Sequence, residues 1–116
     1  MQPKKTPMLT RVSDAQIESL KLLSINPEHG NLRIMCEHLL ERFITEKPYK
    51  NRAFLWLQPA PKNTPHWKAY NVVVSDELSK RVKGESARID VSLTNLLYTA
   101  LSWWMDQHRK TQDPTD

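Results

Sequence analysis

The sequence predicts a mainly α fold with a two-stranded antiparallel ribbon: two β-α-α copies in one chain, packed around one core. Three observations predict it. Apolar residues recur at helical spacing in four segments, a β-branched run stands at Tyr70-Asn71-Val72-Val73-Val74, and the second half of the chain overlays the first at a nearly constant offset. The expected organisation is a first copy over residues 5–46, a basic proline-rich linker over 47–65, a second copy over 66–107 and a flexible tail over 108–116.

In the first half, Ile17, Leu20 and Leu23 fall on one face of a helix over residues 15–25, and Ser13 and Asp14 before it are good N-cap residues. It should stop near Asn26-Pro27, because proline disfavours helical geometry in the residue before it, with Gly30 turning the chain. Asn31 then caps a helix over 32–45. Its apolar face is Leu32, Met35, Cys36, Leu39, Leu40 and Phe43, and its polar face Arg33, Glu37, Glu41 and Arg42.

From Lys47 to Pro65 the prolines Pro48, Pro59, Pro61 and Pro65 exclude a long helix. Only Phe54-Leu55-Trp56-Leu57 is apolar enough for a brief extended segment or a docked plug. The strand at 70–74 follows, and Ser75-Asp76 closes it and opens a helix carrying Leu78, Val82 and Ile89. After a turn at Asp90-Val91, Ser92 caps a last helix whose stripe is Leu93, Leu96, Leu97, Ala100, Leu101 and Trp104. From His108 onward the chain is polar and expected to fray.

The repeat carries most weight. At an offset of 62, Val12-Ser13-Asp14 falls on Val74-Ser75-Asp76, and at 61 Asn31 meets Ser92, Met35 meets Leu96, Cys36 meets Leu97, Leu40 meets Leu101 and Phe43 meets Trp104. A lone strand with two short helices can neither pair its edges nor cover its apolar faces, so a second copy answers both needs. The outer face of the resulting ribbon suits the major groove of B-DNA.

Composition narrows the class. Within the 116 residues, 17 Lys and Arg against 13 Asp and Glu give a formal charge of +4, and the excess lies in the first half. Residues 47–62 carry Lys47, Lys50, Arg52 and Lys62 without an acid, which suits a phosphate backbone as well as a solvated loop. No apolar run approaches the roughly 18–20 residues of a membrane span, and no signal-peptide segment follows the N-terminus, so a cytoplasmic protein is expected. The single cysteine, Cys36, reads as a buried core thiol. The four histidines and Cys36 lack metal-ligand spacing, and with Gly30 and Gly84 alone there is no glycine-rich phosphate loop. Neither enzyme chemistry nor a cofactor is expected.

Val72-Val73-Val74-Ser75-Asp76-Glu77-Leu78, followed by Val91-Ser92-Leu93-Thr94-Asn95-Leu96-Leu97-Tyr98-Thr99-Ala100-Leu101, resembles the ribbon-helix-helix (MetJ/Arc) superfamily. Arg11-Val12-Ser13-Asp14 and Asn31-Leu32-Arg33-Ile34-Met35-Cys36 form a looser match. A tandem arrangement in one chain resembles the TraY-type proteins of conjugative plasmids. The resemblance implies a sequence-specific double-stranded DNA-binding protein, a transcriptional regulator or a relaxosome accessory factor. By the family's strand parity, Leu9, Arg11, Asn71 and Val73 would face the bases. Arg11 suits guanine and Asn71 adenine, Leu9 and Val73 suit thymine methyl groups, and the alternative for Val73 is an ordinary buried strand residue.

The resemblance also implies phosphate contacts at the starts of the second helices, through Asn31 and Arg33 and through Ser92 and Thr94, where ordinary capping is a compatible reading. Lys50 and Arg52 are the linker's candidates for the backbone. A homodimer or higher assembly on DNA stays open. So does a protein partner at Tyr98 and Trp103, whose rings would otherwise be covered by Phe54 and Trp56, and with it the alternative of an antitoxin-like interaction module.

Overall fold

The computed structural model describes residues 4–25 and 31–112. The expected helix stop at Asn26-Pro27, the turn at Gly30 and the last four residues of the expected tail lie outside them. Strand β1 (Lys5–Ser13) leads into α1 (Asp14–Ser24) and α2 (Leu32–Glu46), then a 3-10 turn (Pro48–Lys50), strand β2 (Trp67–Ser75), α3 (Asp76–Ile89) and α4 (Leu93–Gln112).

Each helix starts where a short polar side chain can take an orphan N–H of the first turn. Ser13 accepts from the Gln16 N–H and receives the Gln16 side chain on its own N–H in return, a capping box. Asn31 accepts from Ile34, Ser75 from Leu78 and Ser92 from Asn95. The ends of α2 and α3 are marked by Lys47 and Asp90, both with positive φ (52° and 58°).

The two strands pair antiparallel, Lys5 opposite Ser75 and Ser13 opposite Trp67. Alternation divides the ribbon: Met8, Thr10, Val12, Val72 and Val74 are buried, while Lys5, Pro7, Leu9, Ala69 and Asn71 are exposed. Under the inner face lies one core, in which Leu20, Met35, Leu39, Leu40, Phe43, Leu78, Val82, Leu96, Leu97, Leu101 and Trp104 are buried. Helix α4 packs on β1, α2 on β2, and the two helices on each other. Backbone bonds close the ribbon ends: Asp14 N–H donates to the His66 carbonyl (2.8 Å) and Asp76 N–H to that of Lys4 (3.1 Å).

The expectation of two tandem β-α-α copies joined by a basic proline-rich linker needs correction. A two-stranded antiparallel sheet and four helices are present, but the element order does not divide cleanly into two tandem copies. The 3-10 turn and the chain after it belong to neither half yet form part of the core's wall, and the helix pairs are unequal, 11 and 15 residues against 14 and 20. Tyr49, Phe54 and Trp56 stack around Phe43, with ring centroids 5.3, 6.1 and 6.0 Å from it. The Leu57 backbone is held at both its polar groups by the buried Thr99 hydroxyl, which receives its N–H at 2.9 Å and donates to its carbonyl at 3.1 Å. Residues 47–57 are therefore a docked plug, and the physical reason is that α2 and α4 alone leave Phe43 uncovered. The expected tail is corrected as well, since α4 continues through Gln112.

The start of the plug is pinned electrostatically. Glu85 on α3, its side chain 10% exposed, accepts from Lys47 Nζ (2.9 Å), from the Tyr49 hydroxyl and from both Arg88 Nε and Nη2 (2.9 and 2.6 Å). The Arg88 bonds first, then those of Tyr49 and Lys47, hold its carboxyl well below the usual carboxylate range against the opposing effect of burial. Cys36 is buried against β2, its Sγ 3.9 Å from the Tyr70 hydroxyl, and burial pushes the thiol up to about 11.

Candidate nucleic-acid interface

The outer face of the ribbon carries Lys5, Pro7, Leu9 and Arg11 on β1, opposite Ser75, Val73, Asn71 and Ala69 on β2. Leu9 and Asn71 form the central pair, both exposed, with Leu9 54% accessible. Val73 is half-exposed between the buried Val72 and Val74. All four residues named for base contact thus share one face.

Two helix starts flank that face. The first turn of α2 lies along β2, where Leu32, Arg33 and Cys36 line a hollow with Tyr70, Asn71 and Val73. The first turn of α4 is tied to β1: Thr10 donates to the Thr94 carbonyl (2.9 Å), and the Thr94 hydroxyl reaches the Leu9 carbonyl at 3.5 Å. Asn31, Arg33 and Ser92 are exposed and Thr94 half-exposed. At both starts the caps satisfy N3 only, so the N–H groups of the first two residues have no intrahelical partner and carry the positive end of the helix dipole outward.

Lys50 and Arg52 are not brought to this surface. Both are exposed, but they follow the far end of α2, about 20 Å along the helix from Asn31. A pattern count could not separate the half of the segment that docks from the half that returns. On the return, the Arg11 Nε donates to the Ala60 carbonyl at 3.0 Å, and Lys62 lines a concave surface with Arg11, Trp67 and Lys68. Sequence reasoning missed Lys62 and Lys68 as companions of Arg11. The basic run around Lys62 was a signal, but nothing local indicated the fold-back.

At the other end of the ribbon the charges cancel more closely. Glu37 accepts the Ser75 N–H (2.9 Å) and pairs with Lys5 (3.4 Å), and Glu41 pairs with Arg81 (2.8 Å).

Tyr98 and Trp103 are half-buried and engaged within the chain. The Tyr98 hydroxyl accepts from Gln16 Nε2 at 2.8 Å and its ring lies 5.7 Å from that of Trp67, while Trp103 packs on Phe43 at 5.4 Å.

Comparison with protein-family models, curated proteins and solved structures finds no match to this chain. The functional reading therefore rests on the surface itself. Among the described residues no group of His, Cys, Asp and Glu could hold a metal ion, and no helix is long and apolar enough to cross a membrane.

Proposed function

We propose that the chain binds double-stranded DNA by laying the outer face of the ribbon into the major groove, with the starts of α2 and α4 against the phosphates on either side, as a transcriptional regulator or a plasmid-transfer accessory factor. The observation that carries the reading is the exposed Leu9–Asn71 pair, flanked by Arg11 and Val73 and bracketed by two capped helix starts with outward N–H groups. A two-stranded ribbon fits the major groove, where an asparagine reads adenine and an apolar side chain meets a thymine methyl. Phosphates fix position and bases fix sequence.

The test is selection from random-sequence duplexes at low salt, followed by anisotropy titrations of the enriched duplex at rising salt. Affinity should fall linearly with salt on logarithmic axes. Asn71→Ala should cost about 1–3 kcal/mol on the enriched duplex and little on scrambled ones. Arg33→Ala should weaken both alike. An absence of retardation for every duplex at low salt would end this reading.

A further inference from the structure

We infer that the loop over residues 59–66, with Arg11 and Lys68 on the strands beside it, is a preformed clamp for the phosphodiester backbone at one end of the ribbon, so that the protein sits on duplex DNA with a fixed polarity. This rests on the DNA-binding reading above. It adds a contact, and a direction, that the two helix starts do not supply.

The loop is rigid for reasons visible in its chemistry. Pro59, Pro61 and Pro65 fix φ at three positions, and Pro59 is buried. The Thr64 N–H and hydroxyl both donate to the Pro61 carbonyl (3.2 and 2.5 Å), and the Trp67 N–H donates to Thr64 (3.2 Å). Asn63 and His66 are held at positive φ, 71° and 66°, and the His66 carbonyl is tied to the start of α1. The backbone of such a loop has little ordering left to lose on binding.

What the loop presents is cationic. Ala60 engages only the Nε of Arg11, leaving four guanidinium N–H donors for a ligand, and the exposed Lys62 and Lys68 line the same concave surface. Among the described residues, the carboxylate paired with these cations is Asp14, 3.7 Å from both Lys68 Nζ and His66 Nδ1. The hollow at the opposite end is lined by Lys5 and Arg33 but also by Glu37 and Glu41. One ribbon end thus sets three cations against one carboxylate, whereas at the other Lys5 and Arg33 meet two carboxylates, Glu37 paired with Lys5 and Glu41 with Arg81.

The test compares wild type with Lys62→Ala/Lys68→Ala on the duplex enriched by the wild-type protein, using hydroxyl-radical footprinting and the salt dependence of binding. The wild-type footprint should extend further on one side of its centre. In the double variant that extension should vanish, the central protection should persist, and the salt slope should fall by about 2. Unchanged circular dichroism and melting would show that both side chains act on the ligand and not on the fold. A wild-type footprint symmetric about its centre, or an unaltered salt slope in the variant, would overturn the clamp and leave DNA binding standing. If the wild-type protein binds no duplex, both readings fall together.

Discussion

The acid-free segment between α2 and β2, with one proline in residues 47–57 and three in residues 58–66, contains two regions that end up in opposite roles. Residues 47–57 turn inward: Tyr49, Phe54 and Trp56 close over Phe43, Lys47 and Tyr49 clasp Glu85, and Thr99 ties down Leu57. Residues 58–66 turn outward, where Ala60 holds Arg11 and Lys62 stands free in solvent. Composition averages over both. What separates them is the aromatic spacing of the first region, which supplies the apolar area needed to dock, against the turn chemistry of the second.

That contrast can be broken from its inward side. The largest effect is expected from Trp56→Ala, which removes a half-buried ring from the Phe43 cluster and should destabilise the fold by about 2–3 kcal/mol, below the 3–5 kcal/mol typical of a fully buried tryptophan. Urea unfolding followed by circular dichroism measures it. A loss under 0.5 kcal/mol would mean that the plug is not seated.

Glu85 comes next. Because its carboxyl is held below its unfolded value, it contributes stability that is complete at neutral pH and is lost as pH falls below the ordinary carboxylate range. Glu85→Gln should cost about 1–3 kcal/mol at pH 7 and leave stability less dependent on pH on the acid side. Melting temperatures of the two proteins between neutral and acid pH give the comparison, and parallel curves would contradict it.

The smallest effect sharpens the boundary itself. Thr99→Val deletes the hydroxyl at the point where the inward region gives way to the outward one, and should cost about 1–2 kcal/mol. Hydrogen exchange should show the Leu57 amide losing protection while amides in α1 keep theirs.

Much of the framework was legible because it is local. Ser13, Asn31, Ser75 and Ser92 cap the helices they were expected to cap, and the stripe from Met35 to Phe43 is buried. Strand β2 was visible in its valines, though it begins earlier, at Trp67. Strand β1, with Pro7 third among its nine residues, carries no such run and emerged only through the overlay of Val12-Ser13-Asp14 on Val74-Ser75-Asp76. That overlay placed Leu9, Arg11, Asn71 and Val73 on one face because strand parity is strict. It also encouraged a symmetry that the plug breaks. The bonds that break it, Arg11 to Ala60 and Leu57 to Thr99, join residues more than forty positions apart, and no periodicity encodes such a meeting.

Cys36 gives the molecule an internal timer. Its thiol lies beneath Tyr70, with its ionisation pushed up to about 11, so an alkylating reagent at neutral pH meets neither an accessible sulfur nor a thiolate. Reaction has to wait for a local opening around Cys36 and Tyr70. When reclosing outpaces labelling, the modification rate reads the free energy of that one opening, at the seam between the ribbon and the helix start that flanks it, with the native sequence as the probe.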